Sequence, residues 1–146
     1  MTEFEKEILL KVREVEMERQ VDTKVKMIES LKKHFLTILP GQVMGDGKVL
    51  SLEHSFNFDS DFIMDKLRFN FENRVEFFSS VEEIKNFAEE IKKEFPSNNI
   101  RYIIDDQYTD PRIKKAEKYV TVKFILNVEE LKKEVEKINE IAKESH

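Results

Sequence analysis

The chain has 146 residues, of which 40% are hydrophobic and 38% charged, with no Cys and a formal net charge of -5. That length and apolar content suit one domain with its own core, and they exclude a disordered chain, a disulfide scaffold and a Cys-based zinc site. Acidic and basic residues are interspersed, which argues against a nucleic-acid binder, since affinity for phosphate backbones rests on clustered Lys and Arg.

Thr2 to about Leu36 runs without Gly or Pro and carries a helical pattern with two apolar stripes. Leu10, Met17, Val21, Val25, Ile28, Leu31 and Phe35 recur at threes and fours and fit a seam that packs along its length. Phe4, Ile8, Val12 and Val15 form a second stripe, confined to the first half and rotated by more than a quarter turn. A helix that is apolar on two sides asks for a second partner, so residues 1–36 are read as a long amphipathic helix and oligomerisation arm. Glu3, Glu5 and Glu7 stand where a secretory signal wants positive charge, and no window approaches the roughly 20 apolar residues of a membrane span. A cytoplasmic protein without a membrane partner is expected.

Leu39-Pro40-Gly41 and Gly45-Asp46-Gly47 read as a break, making residues 37–47 a hinge-like connection to an α+β domain over residues 48–146. Val49 to Asp59 alternates, with Leu50, Leu52, His54, Phe56 and Phe58 on one face. After turn chemistry at Asp59-Ser60-Asp61, Phe62 to Met64 is a short strand or an apolar flap. A second alternating run then places Leu67, Phe69, Phe71, Val75 and Phe77 inward and Arg68, Asn70, Glu72, Arg74 and Glu76 outward. Ser80-Val81-Glu82-Glu83 has the form of a capping box and opens a helix that Pro96 ends. Ile100 to Ile104 is a short strand, Asp105 to Lys118 a long loop, and Val120 to Leu126 a fourth strand. Asn127 caps a last helix predicted to pack through Val128, Leu131, Val135, Ile138 and Ile141.

The order α-ββ-α-ββ-α predicts a four-stranded, largely antiparallel sheet with the two later helices on one face. Val75 to Lys92 aligns with Val122 to Asn139 at a shift of 47, which reads either as an internal repeat or as the common spelling of a strand running into a capped helix. On the second face Ile103, Tyr119 and Ile125 make an apolar strip that needs a cover, from the first helix or from a partner chain.

No residue pattern specifies catalysis or a cofactor. Asp59 and Asp61, and Asp105, Asp106 and Asp110 near Lys114 and Lys115, are the carboxylates that could hold a divalent ion for phosphodiester chemistry. The bland reading is turn and loop solvation. Of the three His, only His54 sits on an apolar strand face, where a core role is the commoner one. The serines lack a Gly-flanked elbow and the glycines form no phosphate-cradling loop. Arg68, Arg74, Arg101 and Lys123 beside Tyr119 could grip a single strand, but Glu72 and Glu76 on the same predicted face favour cross-strand charge pairing.

In size and in its alternation of hairpins and helices the chain is similar to small acidic dimeric chaperones of bacterial secretion systems. The likeness is one of element order, carried by no motif. The function expected is therefore a non-enzymatic protein-binding role as a chaperone, adaptor, immunity or phage-type accessory factor, with self-association as a homodimer through the first helix. The alternatives are a metal-dependent phosphodiester enzyme and a single-stranded nucleic-acid binder.

Overall fold

A computed structural model describes residues 1–46, 48–95, 99–108 and 118–144. Helix α1 (Glu3–Asp46) precedes strands β1 (Ser51–Asp61), β2 (Lys66–Phe71) and β3 (Arg74–Phe78). Helix α2 (Val81–Lys93), strands β4 (Ile100–Tyr108) and β5 (Lys118–Asn127) and helix α3 (Val128–Glu144) complete the chain. The protein is α+β, and its sheet is antiparallel throughout in the order β3-β2-β1-β5-β4.

Among the described residues the sheet has five strands, not four. The alternating run from Leu67 to Phe77 is broken at Glu72-Asn73, where Glu72 takes a φ of 54° and the chain reverses to pair Phe71 with Arg74. A two-residue turn makes those two residues same-face neighbours, so the alternation changes parity across it. Phe78, Glu76 and Arg74 therefore share the face of Leu67, Phe69 and Phe71, while Val75 and Phe77 lie on the opposite one. This reverses the inward and outward assignment that the pattern had suggested for this strand.

The inner face builds the core. Phe58 stacks on Phe69 at 4.7 Å between ring centroids, Phe78 meets both Phe58 and Phe87 edgewise or tilted at 5.3 Å, and Phe56 approaches Phe124 at 6.1 Å. Ile84, Phe87, Ala88 and Ile91 of α2 and Met27, Ile28, Leu31 and Phe35 of α1 close this layer. Both helices thus cover the same face, and α1 leaves the other open. Ser80 Oγ accepts the Glu83 N–H at 3.2 Å and Glu83 Oε2 accepts the Ser79 N–H at 2.9 Å, so the predicted cap starts α2.

Two other expectations are corrected. The hinge-like segment is helical, and α1 continues through Pro40 and Gly41 to Asp46. Proline removes one helical donor, which leaves the Leu36 carbonyl to solvent, and Leu36 is 70% exposed. Ile38 and Leu39 pack against the core and hold the segment down. The last helix does not pack through its whole stripe either. Val128 meets the core and Leu131 is half-buried, but Val135 and Ile138 are exposed. The side chain of Ile141 lies outside the described residues.

Candidate functional site: an exposed helical arm

Thr2 starts α1, its Oγ1 accepting the Glu5 N–H at 3.2 Å and so satisfying an orphan amide of the first turn. Glu3 and Glu5 there complement the positive end of the helix dipole. Lys6–Glu3 at 3.4 Å and Lys11–Glu14 at 3.6 Å are ordinary neighbouring pairs along one helix. Every residue from Met1 to Val21 is exposed, and the ion pair of Arg19 with Glu76 is its tie to the sheet. At 1.5 Å per residue, the 19 residues from Glu3 to Val21 project about 28 Å.

The arm has a root. Going toward the N-terminus, α1 leaves the domain over edge strand β3, where Arg19 Nε lies 3.6 Å from Glu76 Oε1 and Asp22 pairs with Arg74. Thr23 is fully buried and donates from Oγ1 to Glu76 at 3.4 Å, while Lys26 reaches Glu72 at 3.7 Å and Lys24 reaches Glu94 of the α2 end at 3.5 Å. These contacts explain the parity of β3, since Arg74 and Glu76 face α1. Farther along, His34 of α1 lies over His54 of β1 with ring centroids 4.2 Å apart. Burial and then the neighbouring His34 push the His54 imidazole below its ordinary pKa.

Beyond the root both predicted stripes are open. Phe4 is 69% exposed, with Ile8, Val12 and Val15 also exposed, and Leu10, Met17, Val21 and Val25 stand out on the other side. At 3.6 residues per turn the stripes lie roughly 150° apart. Leu9 and Leu10, with the stems of Lys6 and Arg13, line a shallow groove on the arm, and Met17, Val21 and Val25 line another nearer the root.

The open sheet face carries the remaining candidates. Ile103 is 45% exposed, Tyr119 is half-buried, and Ile125 is only 5% exposed although it stands outside the core cluster. Lys123 lies 3.8 Å from Glu53 and Arg68 Nη1 lies 4.0 Å from Asp61, while Glu72 and Glu76, expected to pair on this face, reach Lys26 and Arg19 of α1 instead. Arg74, predicted on this face, is on the other.

The carboxylate clusters do not come together. Asp61 accepts the N–H groups of Ile63 and Met64 at 2.9 and 3.1 Å, which is turn chemistry, and Ile63 forms a fully exposed loop tip. Asp105 and Asp106 belong to β4 rather than to a loop, and alternation sends them to opposite faces. Two strand spacings, about 9–10 Å, separate β1 with Asp59 from β4 with Asp105. Asp110, Lys114 and Lys115 lie outside the described residues. Among the described residues no group of three His, Asp or Glu is placed to hold a metal ion, and no helix is long and apolar enough to cross a membrane.

The exposed α1 arm was legible in the spacing of its stripes. Its root was not, because no local pattern pairs Arg19 and Thr23 with a residue 53 or more positions away. The chain matches no protein-family model, no curated protein and no solved structure.

Proposed function

We propose that this chain is a non-enzymatic protein-binding protein, an adaptor or chaperone, that self-associates through the N-terminal arm of α1 and presents the assembled surface to another protein. The observation that carries this reading is the exposure of Met1 to Val21 on every side of the helix, with large apolar side chains on two of those sides. Full burial of a Phe, Ile, Val or Met side chain is worth about 1.5 to 3 kcal/mol, so covering even one stripe outweighs the cost of ordering it. A helix of this kind gains its stability from packing rather than from propensity. A second arm supplies a matching surface, since the seam of Leu10, Met17 and Val21 follows the seven-residue spacing that lets two helices wind together. The arm's other stripe then remains for the second copy's domain or for the protein that is bound.

Deleting residues 2–16 tests the reading, with mass followed by light scattering and fold by circular dichroism. The shortened chain is expected to keep its sheet signal and to lose the association made through the arm, read as a mass below that of the full-length assembly. A shortened chain with the full-length mass would overturn the proposal, as would a strictly monomeric full-length protein.

A further inference from the structure

The two edges of the sheet differ. β3 has five residues and is crossed by α1, whose Arg19 and Asp22 pair with Glu76 and Arg74. β4 has nine residues, with β5 on one side and no strand among the described residues on the other. Such an edge offers a row of backbone donors and acceptors to any strand that fits it.

What fits is written in β4 itself. Around Ile103 its residues are Arg101, Tyr102, Ile103, Ile104 and Asp105, a block whose chemistry is self-complementary when read backwards. In an antiparallel pair centred on Ile103, Arg101 faces Asp105 of a second copy, Tyr102 faces Ile104, and Ile103 faces itself. Arg101, Ile103 and Asp105 share the open face and are all exposed, while Tyr102 and Ile104 are half-buried on the core side. Directly opposed charges and apolar side chains are the favourable cross-strand pairs. Shifting the centre to Tyr102 or to Ile104 loses both charge pairs, so one register is selected. At the margins Ile100 meets Asp106, which limits the complementary block to five residues. The two-fold axis stands normal to the sheet, which keeps the α1 and α2 layers of both copies on one side.

We propose that β4 is a homotypic edge: two copies of this chain pair antiparallel through Arg101 to Asp105, with Ile103 on the axis, and join their sheets into one of ten strands. This interface is separate from the arm. β3 and β4 are opposite edges, so the arm roots stand at the far ends of the joined sheet. Arms in one such dimer cannot reach each other and are left for further copies or for another protein.

The test uses the full chain with the arm disabled by Leu10→Asp and Met17→Asp, both exposed on the pairing seam, followed by light scattering, with circular dichroism as the check on fold. This variant is expected to be a dimer of twice 17.4 kDa. Adding Arg101→Glu, or separately Asp105→Arg, is expected to weaken dimerisation about tenfold or more by turning two attractions into repulsions, and combining them is expected to restore it. A monomeric arm variant would overturn the proposal, as would single reversals that associate as well as the combined swap. If the arm substitutions leave the wild-type mass unchanged while the reversals reduce it, the arm reading falls and the β4 reading stands. The register has its own readout, because the chain has no Cys. Oxidation is expected to cross-link Ile103→Cys into a covalent dimer and to leave Arg101→Cys unlinked, and equal cross-linking of the two would overturn pairing centred on Ile103.

Discussion

Leu10 and Leu31 are the same residue in the same helix, 21 positions or three heptads apart, and so they fall on one seam. Leu31 is 0% exposed against the sheet, whereas Leu10 is 61% exposed beyond it. Val21, Ile28 and Phe35 repeat the contrast, the first exposed and the other two buried. The seam keeps its spacing along α1, but from Val25 toward the N-terminus it is no longer covered by the domain. An apolar pattern that outruns its own domain is the feature on which the proposed self-association rests.

The largest test of this contrast is to truncate both leucines. Leu31→Ala is expected to cost about 2 to 5 kcal/mol in urea unfolding, by lost transfer energy and a cavity. Leu10→Ala is expected to stay within about 0.5 kcal/mol for the monomer while weakening self-association, and an equal loss at both positions would mean that the arm folds back on its own domain. A smaller effect is expected at the boundary between the two halves. Glu76→Ala removes the acceptor shared by Arg19 and Thr23, leaving the buried Thr23 hydroxyl without its partner, at a cost of about 1 to 3 kcal/mol. Hydrogen exchange should then quicken from Arg19 to Lys26 and remain unchanged before Glu16. The smallest change is the one expected from acid acting on His54 in the docked half. His54 is held below its ordinary 6.5, so the folded protein binds fewer protons there than the unfolded chain does. This contribution to stability is level above that value and declines as pH falls through 6.5 toward the lowered folded pKa. Denaturation series against pH should show the decline in the wild type and lose it in His54→Gln.

Much of this could be read in advance where local chemistry decides. The seam of α1, the Ser80 cap, the strands around His54 and Phe124 and the antiparallel sheet follow from periodicity and capping. What failed was decided by distant residues. Glu72 and Asn73 do not spell a strong turn, and Arg74 and Glu76 look like solvent-facing positions until α1 brings Asp22, Arg19 and Thr23 onto them. Pro40 and Gly41 favour a break, but Ile38 and Leu39 are anchored in the core on the preceding turn. The aligned halves diverge for the same reason. Val75 and Phe77 match Val122 and Phe124 in spelling but lie on the opposite face of the sheet. Likewise α2 buries its stripe while α3, capped by Asn127 Oδ1 on the Glu130 N–H at 3.0 Å, leaves Val135 and Ile138 outside. Equal local grammar does not make equal surroundings.

The pairing of β1 with β5 also orders events during synthesis. β1 is the central strand, and its contacts with β5 run from Asp59 with Tyr119 to Ser51 with Asn127, separations of 60 and 76 positions. At about 5 to 20 residues per second a ribosome needs roughly 3 to 15 s to supply that partner. Until then Leu52, Phe56 and Phe58 lack Val120, Val122 and Phe124, and such long-range closure is intrinsically slow. The α1 arm emerges first and needs none of these strands. On the proposed reading, the arm is therefore available to a second copy before the sheet closes, whereas the proposed pairing through β4 must wait until synthesis has passed it.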